Sequence, residues 1–384
     1  MCYDSPRVRI LMDYRPALRQ RTGAGEYVHR LATALQARLS APDTLTLFSS
    51  SWKDRLAPGV VPGARRVDAR VPVSVLNLAW HRLEWPPVEW LSGPVDVAQS
   101  MHPLLLPARS AAQFVTIHDL YFLERPDQTT AEIRRDYGAL AASHARRADG
   151  VIVPSEYTRA LLEARFGVPS ERMTVCSPGR PDWTPREDGG APGPILFVGT
   201  IEPRKNVGGL LRAYAALVRT DLNTPDLVLA GRAASVIDTD GMVDGVPLRG
   251  RVQRPGYVDE ARRLALYHSA SMLVLPSFDE GFGLPVLEAM TLGVPVVAAR
   301  RGSLPEVLGG AGLLVEPDDH EGMAGAMRTV LSNPAERRRM RDAGLSRARA
   351  YSWDVAAARL YEAYAAALAR RKPARRKIAW RRPA

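Results

Sequence analysis

The chain has 384 residues, 46% of them hydrophobic and 24% charged, a balance that suits two globular domains and excludes disordered, fibrous and coiled-coil classes. Its two cysteines, Cys2 and Cys176, exclude a disulfide framework and a thiolate zinc site, and its seven histidines show no ligand spacing. The net charge is +11, but residues 370–384, "RRKPARRKIAWRRPA", hold eight Lys or Arg and no acid, leaving only +3 for the rest.

In chain order, "RVRILMD" reads as a first strand, and the opening segment around it is too short in apolar residues for a signal peptide. No run approaches the eighteen apolar residues of a membrane span, so the reading is a cytoplasmic chain. "RTGAGEYVHRL" then places Gly23 and Gly25 at the start of a helix. The segment is a weak relative of the dinucleotide fingerprint that lacks the third glycine and the downstream acid, so a nicotinamide site is not expected. Close approach of backbone to phosphate or substrate is.

"TLTLFSS" continues the strand series. "LNLAWHRLEWPPVEWL" carries Trp80, Trp85 and Trp90 at intervals of five, which do not share a helical face, and Pro86 and Pro87 interrupt the helix. Packing or cleft-lining roles are preferred over a membrane-inserting helix. "AQFVTIHDL" brings His118 to the end of an apolar strand, where a histidine by itself is more often structural. With "GVIVPS" and "TRALLEARFG" the alternation argues for a parallel sheet wrapped by helices.

The rhythm breaks at "SPGRPDWTPREDGGAPGP", residues 177–194. The expected organisation is a first domain over 1–178, a linker over 179–194, a second domain over 195–352, a helix over 353–369 and the basic tail over 370–384. Two doubly wound α/β domains collect ligands at the carboxyl ends of their strands, so their facing edges form one cleft. In "ILFVGTIEPRKNVGGLLRAY" Asn206 is placed to cap a helix, with Arg204 and Lys205 just ahead of it, an arrangement suited to an anion. "DTD" at 238–240 has the look of a metal triplet but sits between glycines and reads as a turn.

"PSFDEGFGLPVLEAMTLGVPVV" runs from a buried strand through a glycine corner into a helix opened by Pro285. Glu288 near that helix start can accept two hydrogen bonds from a vicinal diol, and Glu280 in the loop can meet sugar hydroxyls. The plainer alternatives are a solvated loop acid and a capping charge on the helix dipole.

Together "FVGTIEPRKN", "GYVDEARRLALYHSA" and "PSFDEGFGLPVLEAMTLGVPVVA" resemble glycosyltransferase family 4, the retaining transferases of GT-B fold. "RTGAGEYVHRL", "TIHDLYFLERP" and "VIVPSEYTR" extend the likeness over residues 7–365. The resemblance implies two Rossmann-like domains facing a central cleft. Glu288 would hold the nucleotide ribose, while Glu280 and the amides of Gly281, Phe282 and Gly283 would meet the donor sugar. Arg204 and Lys205 would neutralise the diphosphate, and His118 would hydrogen-bond the transferred sugar. Gly23 and Gly25 would line the acceptor or diphosphate side, with Gly256, Tyr257 and Val258 at the base.

The implied reaction needs no metal or other cofactor. It transfers a hexosyl group, mannosyl favoured, from a nucleotide diphosphate sugar to a hydroxyl of a glycan or lipid-linked glycan, in surface polysaccharide synthesis. GDP-mannose is the favoured donor and a UDP-sugar the next. The chain departs from the family at "CSPGRPD", where an Asn-Gly pair followed by an aspartate is usual. In the family, the last helix crosses back to the first domain. The basic tail suits an anionic cytoplasmic membrane face or a solvated end equally; no nucleic-acid motif accompanies it. A sugar-nucleotide epimerase and an inactive scaffold are the competing readings.

Overall fold

The computed structural model describes residues 7–18, 21, 23–129, 131–187, 193–233 and 248–371. The metal look-alike at 238–240 and most of the basic tail lie outside the described residues.

The first half runs β1 (Arg9–Asp13), α1 (Gly23–Arg38), β2 (Thr44–Ser49), β3 (Arg65–Asp68), α2 (Val73–Leu83), α3 (Val88–Ser92), β4 (Val97–Ser100), β5 (Ala112–Thr116), α4 (Tyr121–Glu124), α5 (Ala131–Arg147), β6 (Gly150–Val153), α6 (Glu156–Phe166) and β7 (Met173–Val175). The second runs β8 (Ile195–Val198), α7 (Val207–Thr220), β9 (Leu227–Ala230), β10 (Val252–Gly256), α8 (Glu260–Ser269), β11 (Met272–Leu275), α9 (Leu284–Leu292), β12 (Val296–Ala299), α10 (Leu304–Leu308), β13 (Leu313–Val315), α11 (His320–Ser332), α12 (Pro334–Ala348) and α13 (Trp353–Arg371).

All strand pairings are parallel, in the orders β3-β2-β1-β4-β5-β6-β7 and β10-β9-β8-β11-β12-β13. Strands buried on both faces need apolar residues at every position, and β6, β8, β9, β11 and β12 are buried throughout. The order in which strands are added reverses in each sheet between β1 and β4 and between β8 and β11. Loops leaving those strands therefore open the crevice where doubly wound sheets bind ligands. The fold is GT-B.

Local chemistry fixes the helix starts at the crevice. Ser155 caps α6 by accepting from Thr158 N, and Asn206, in the left-handed region at φ 53°, caps α7 by accepting from Gly209 N. The linker is pinned to the final helix: a Cβ at Gly179 would fall 2.2 Å from Trp353 N, so the divergent "CSPGRPD" corner needs glycine for a close backbone approach.

Helix α13 lies on the first domain. Ala357, Leu360, Tyr364 and Ala367 join the core built by Ile10, Leu31 and Phe114. The Tyr364 hydroxyl donates to Gln99 Oε1 at 2.9 Å, and its ring meets Phe114 edge-on at 4.8 Å. The helix continues to Arg371, past the expected end at 369, and Arg371 pairs with Asp149 at 3.3 Å.

Leu360→Ala should therefore destabilise the first domain by about 2–5 kcal/mol in denaturant titration. Removing residues 353–384 should prevent stable folding, and a soluble, active chain without them would contradict this packing.

Candidate functional site

A cleft chamber of about 370 Å³ lies between the domains, with Gly23 and His118 on one wall and Arg204, Lys205, Glu280 and Glu288 on the other. Glu280 is neither solvated nor free: it is 5% exposed. Its Oε1 takes hydrogen bonds from Lys205 Nζ and from Ser277 Oγ at 2.7 Å, and Arg204 Nη1 lies 3.3 Å from Oε2. Burial pushes its acidity down in strength, but Lys205 and Arg204 outweigh that and hold the pKa low, at about 2. Arg204 also pairs with Glu202 at 2.9 Å. Asp119 stands 4.0 Å from Arg204 as well, so the two cations face three carboxylates.

Glu288 is the fifth residue of α9, one turn deeper than a capping position, and is 8% exposed. Tyr267 OH donates to Oε2 at 3.0 Å, and Arg263 Nη2 stands 3.2 Å from Oε1. Burial dominates and raises its pKa to about 6 despite Arg263 and Tyr267. The sequence reading missed Arg263 and Tyr267. Their i, i+4 spacing on α8 puts them on one face, a legible signal, but only the parallel neighbour relation of α8 and α9 shows that they meet Glu288.

Gly283 opens α9 at φ +94°, a conformation suited to glycine. At Gly281 the constraint comes from the opposite domain, because a Cβ there would lie 1.7 Å from the His118 carbonyl oxygen. Phe282 lines the chamber and packs edge-on against Tyr351 at 5.4 Å.

His118 sits in the cleft with its ring edge-on to Tyr27 at 5.1 Å. Burial lowers its pKa, keeping the imidazole neutral, and the Met101 backbone hydrogen-bonds to the ring. Its buried Nε2 has no hydrogen-bond partner among the described residues, an exception to the rule that buried polar atoms are paired. Asp119 accepts from Tyr121 N at 3.2 Å, fixing the turn into α4.

The glycines divide. Gly23 lines the chamber, whereas Gly25 does not; it is buried, with a Cβ position only 2.7 Å from the Pro16 carbonyl oxygen, so its role is packing of α1. Tyr257 and Val258 line the chamber, but Gly256 contributes backbone geometry at φ +73°, accepting from Gly231 N at 2.9 Å.

A second chamber of about 430 Å³ adjoins the first, sharing His118, Asp119 and Arg204, and is lined on the first domain by Met101, His102, Tyr121, Phe122 and Tyr137. Beneath it, fully buried Asp13 binds Arg15 at 2.7 Å and His102 at 3.3 Å, and Arg15 donates to Asn77 Oδ1 at 2.7 Å. No sequence motif marked this network. The tryptophans also depart from the expectation of packing or cleft roles for all three. Trp80 is buried and donates to Pro86 O at 2.9 Å, but Trp85 and Trp90 are 53% and 60% exposed, lie edge-on at 5.8 Å and line neither chamber.

With this geometry in place, residues 190–347 match the family described as glycosyl transferases group 1 and residues 21–181 match Glycosyltransferase Family 4. The chain belongs to glycosyltransferase family 4. It is 32% identical to an O-antigen chain mannosyltransferase B of Escherichia coli over 67% of this chain and 71% of that protein. It is 31% identical to a glycogen synthase of Mycobacterium tuberculosis over 68% and 66%. Sucrose-phosphate synthase from Thermosynechococcus elongatus has the same fold at TM-score 0.76 and 22% identity, covering 95% of this chain and 100% of that one. The glycosyltransferase WaaG, at TM-score 0.70 and 15% identity, covers 93% and 99%. The chain is a glycosyltransferase.

Because the folded pKa of Glu280 lies below the ordinary 4.5, its charge contributes stability that is present above pH 4.5 and lost as pH falls through about 2, on the order of 3 kcal/mol. Glu280→Gln, which leaves Lys205 buried without its counter-charge, should be less stable at neutral pH yet lose less on acidification. Urea titrations of both proteins between about pH 7 and pH 3 check this.

Proposed function

We propose that the chain is a retaining hexosyltransferase that moves a mannosyl group from a nucleotide diphosphate sugar to a glycan hydroxyl. The observation that carries the reading is the pair of buried carboxylates on one corner, Glu280 clamped by two cations and Glu288 held by Tyr267 and Arg263. Glu288 accepts from the two ribose hydroxyls, an interaction that needs its ionised form. Affinity for the nucleotide is therefore full above its pKa of about 6 and weakens below it.

Glu280 keeps Arg204 and Lys205 at the mouth of α7, where their charges and the helix amino terminus meet the diphosphate. Arg21, Arg232 and Arg263 also line the chamber. As the bond between the anomeric carbon and the phosphate oxygen breaks, the electron pair leaves with the diphosphate and an oxocarbenium-like sugar remains. The acceptor hydroxyl attacks from the face the diphosphate leaves, and its proton passes to the departing phosphate. Neutral His118, with Nε2 unengaged, holds a hydroxyl of the transferred sugar. Every step uses the chain's own side chains and the donor's phosphate, so the reading requires no metal or other cofactor.

The second chamber, walled by Tyr121, Phe122 and Tyr137, suits the apolar faces of an acceptor sugar ring. An acceptor chamber favours transfer over epimerisation of the nucleotide sugar. Mannose as the transferred sugar is supported by the likeness to the O-antigen chain mannosyltransferase; HepE from Anabaena, a neighbour in fold at TM-score 0.70 and 17% identity that covers 94% of this chain and 100% of that one, is in complex with UDP and glucose, which keeps a UDP-sugar as the next donor.

A lipid-linked acceptor at the cytoplasmic membrane face is supported by an exposed apolar surface. Val75, Leu78 and Leu83 project from α2, Trp85 from the loop after it and Trp90 from α3, and α2 reaches the wall of the second chamber through Asn77 and Arg15. The basic tail would add attraction to anionic lipid. Surface polysaccharide synthesis is the setting that fits.

Incubation with GDP-mannose or UDP-sugars and glycan acceptors, followed by NMR of the new anomeric centre, tests the reading. The expected product keeps the donor's anomeric configuration, and His118→Ala lowers kcat on the order of 100-fold. An inverted product, or epimerised nucleotide sugar formed without acceptor, would contradict it.

A further inference from the structure

We propose that Glu306, which belongs to neither carboxylate of the donor corner, is a positioning residue that latches the two domains across the cleft and sets the placement of His118. The inference rests on residues 280–288 being the donor site.

Glu306 lies in α10 of the second domain, and its carboxylate is occupied by the first. Oε1 accepts from Glu156 N at 3.0 Å and Oε2 from Tyr157 N at 2.9 Å. These are the first two amides of α6, which a helix leaves without intrahelical partners and which carry the positive end of its dipole. A carboxylate from another domain satisfies both at once.

The contact is one of three made by the same turn. Ser155 Oγ donates to Gly281 O at 2.7 Å, and Tyr157 OH donates to Asp279 Oδ1 at 3.2 Å. Residues 279–281 are the loop that carries Glu280. The opposite side of that loop is held by the segment leading into α10, where Ser303 N and Ser303 Oγ both donate to Glu280 O at 2.9 Å. Arg347 Nη2 donates to the Glu306 carbonyl at 2.7 Å and backs the latch from α12.

One segment, 303–306, therefore grips the donor loop with its first residue and the opposing domain with its last. When it is engaged, the His118 carbonyl sits against Gly281, where no Cβ could enter. The unpartnered Nε2 of His118 is then fixed relative to Glu280. When it is released, each domain keeps its own residues but loses the other's.

The amide donors can be edited singly. Glu156 is the first residue of α6, a position that tolerates proline because its N–H has no helical partner, and the preceding Ser155 is extended at ψ 161°, as a residue before proline requires. Glu156→Pro deletes the donor to Oε1 and leaves the helix intact. Glu156→Ala keeps the donor and controls for loss of the surface pair with Arg159.

Glu156→Pro and Glu306→Ala should each lower kcat about tenfold or more and raise the acceptor KM. Affinity for GDP or UDP should stay within twofold, because Glu288, Arg204 and Lys205, which hold the ribose and meet the diphosphate, lie in the second domain. Combining the two should add little to Glu306→Ala alone, which already removes the bond that Glu156→Pro deletes. Small-angle scattering of the unliganded proteins should give a larger radius of gyration for both variants than for wild type or Glu156→Ala. Equal radii with unchanged kcat, or losses that multiply in the double variant, would overturn the latch. Should wild type bind no nucleotide, the donor-site reading fails instead, and the scattering comparison still decides the latch.

Discussion

Burying the Glu280 carboxylate at the carboxyl end of β11 is the constraint around which the second domain is arranged. An unpaired charge there would cost several kcal/mol, so the loop after β8 must deliver Lys205 and Arg204 from the neighbouring strand. That delivery depends on β8 and β11 being adjacent and parallel, which is the point where the sheet's winding reverses. Asn206 ties the same loop down, donating from Nδ2 to Pro276 O at 3.2 Å and to Pro317 O at 2.8 Å while capping α7. The buried carboxylate and a structural cap thus share one corner.

The first domain supplies what this corner lacks. His118 comes from the loop after β5 and reaches the donor loop only because Gly281 has no side chain. Helix α13 sets the overall relation, leaving the second domain at Trp353 and burying Tyr364 in the first. The turn at 155–157 sets the fine relation by engaging Gly281, Asp279 and Glu306. The cleft chamber is consequently a property of the pair of domains.

Much of this was legible in the sequence because the buried parallel strands are continuous apolar runs, as in "SMLVLPS" and "ILFVG", and because glycine and asparagine mark the helix starts. The short strands β3, β4, β7, β10 and β13 were not. They have three to five residues, and "VQRPG" of β10 is an edge strand that tolerates proline and exposed polar residues, so no periodicity announces it. Glu280 and Glu288 stood out through the glycine corner together with the family resemblance, since two acids eight apart are ordinary by themselves, and their partners were only half visible: Lys205 and Arg204 sit in a recognisable loop, whereas Arg263 and Tyr267 look like an ordinary helix face. Gly25 misled because a glycine beside a helix start reads the same whether it admits a ligand or a neighbouring carbonyl. The Asp13–Arg15–His102 network joins residues up to 89 apart, and single-chain spacing carries no trace of it.

The corner from Pro276 to Glu288 is proposed to hold a nucleoside diphosphate. Thermal unfolding of the wild-type protein with GDP, UDP, ADP and dTDP, beside Glu288→Ala, tests it most directly, since a ligand bound only by the folded state must raise the midpoint. The account predicts that one nucleotide stabilises the wild type and that Glu288→Ala abolishes the effect. Stabilisation that survives Glu288→Ala, or none with any nucleotide, would contradict it.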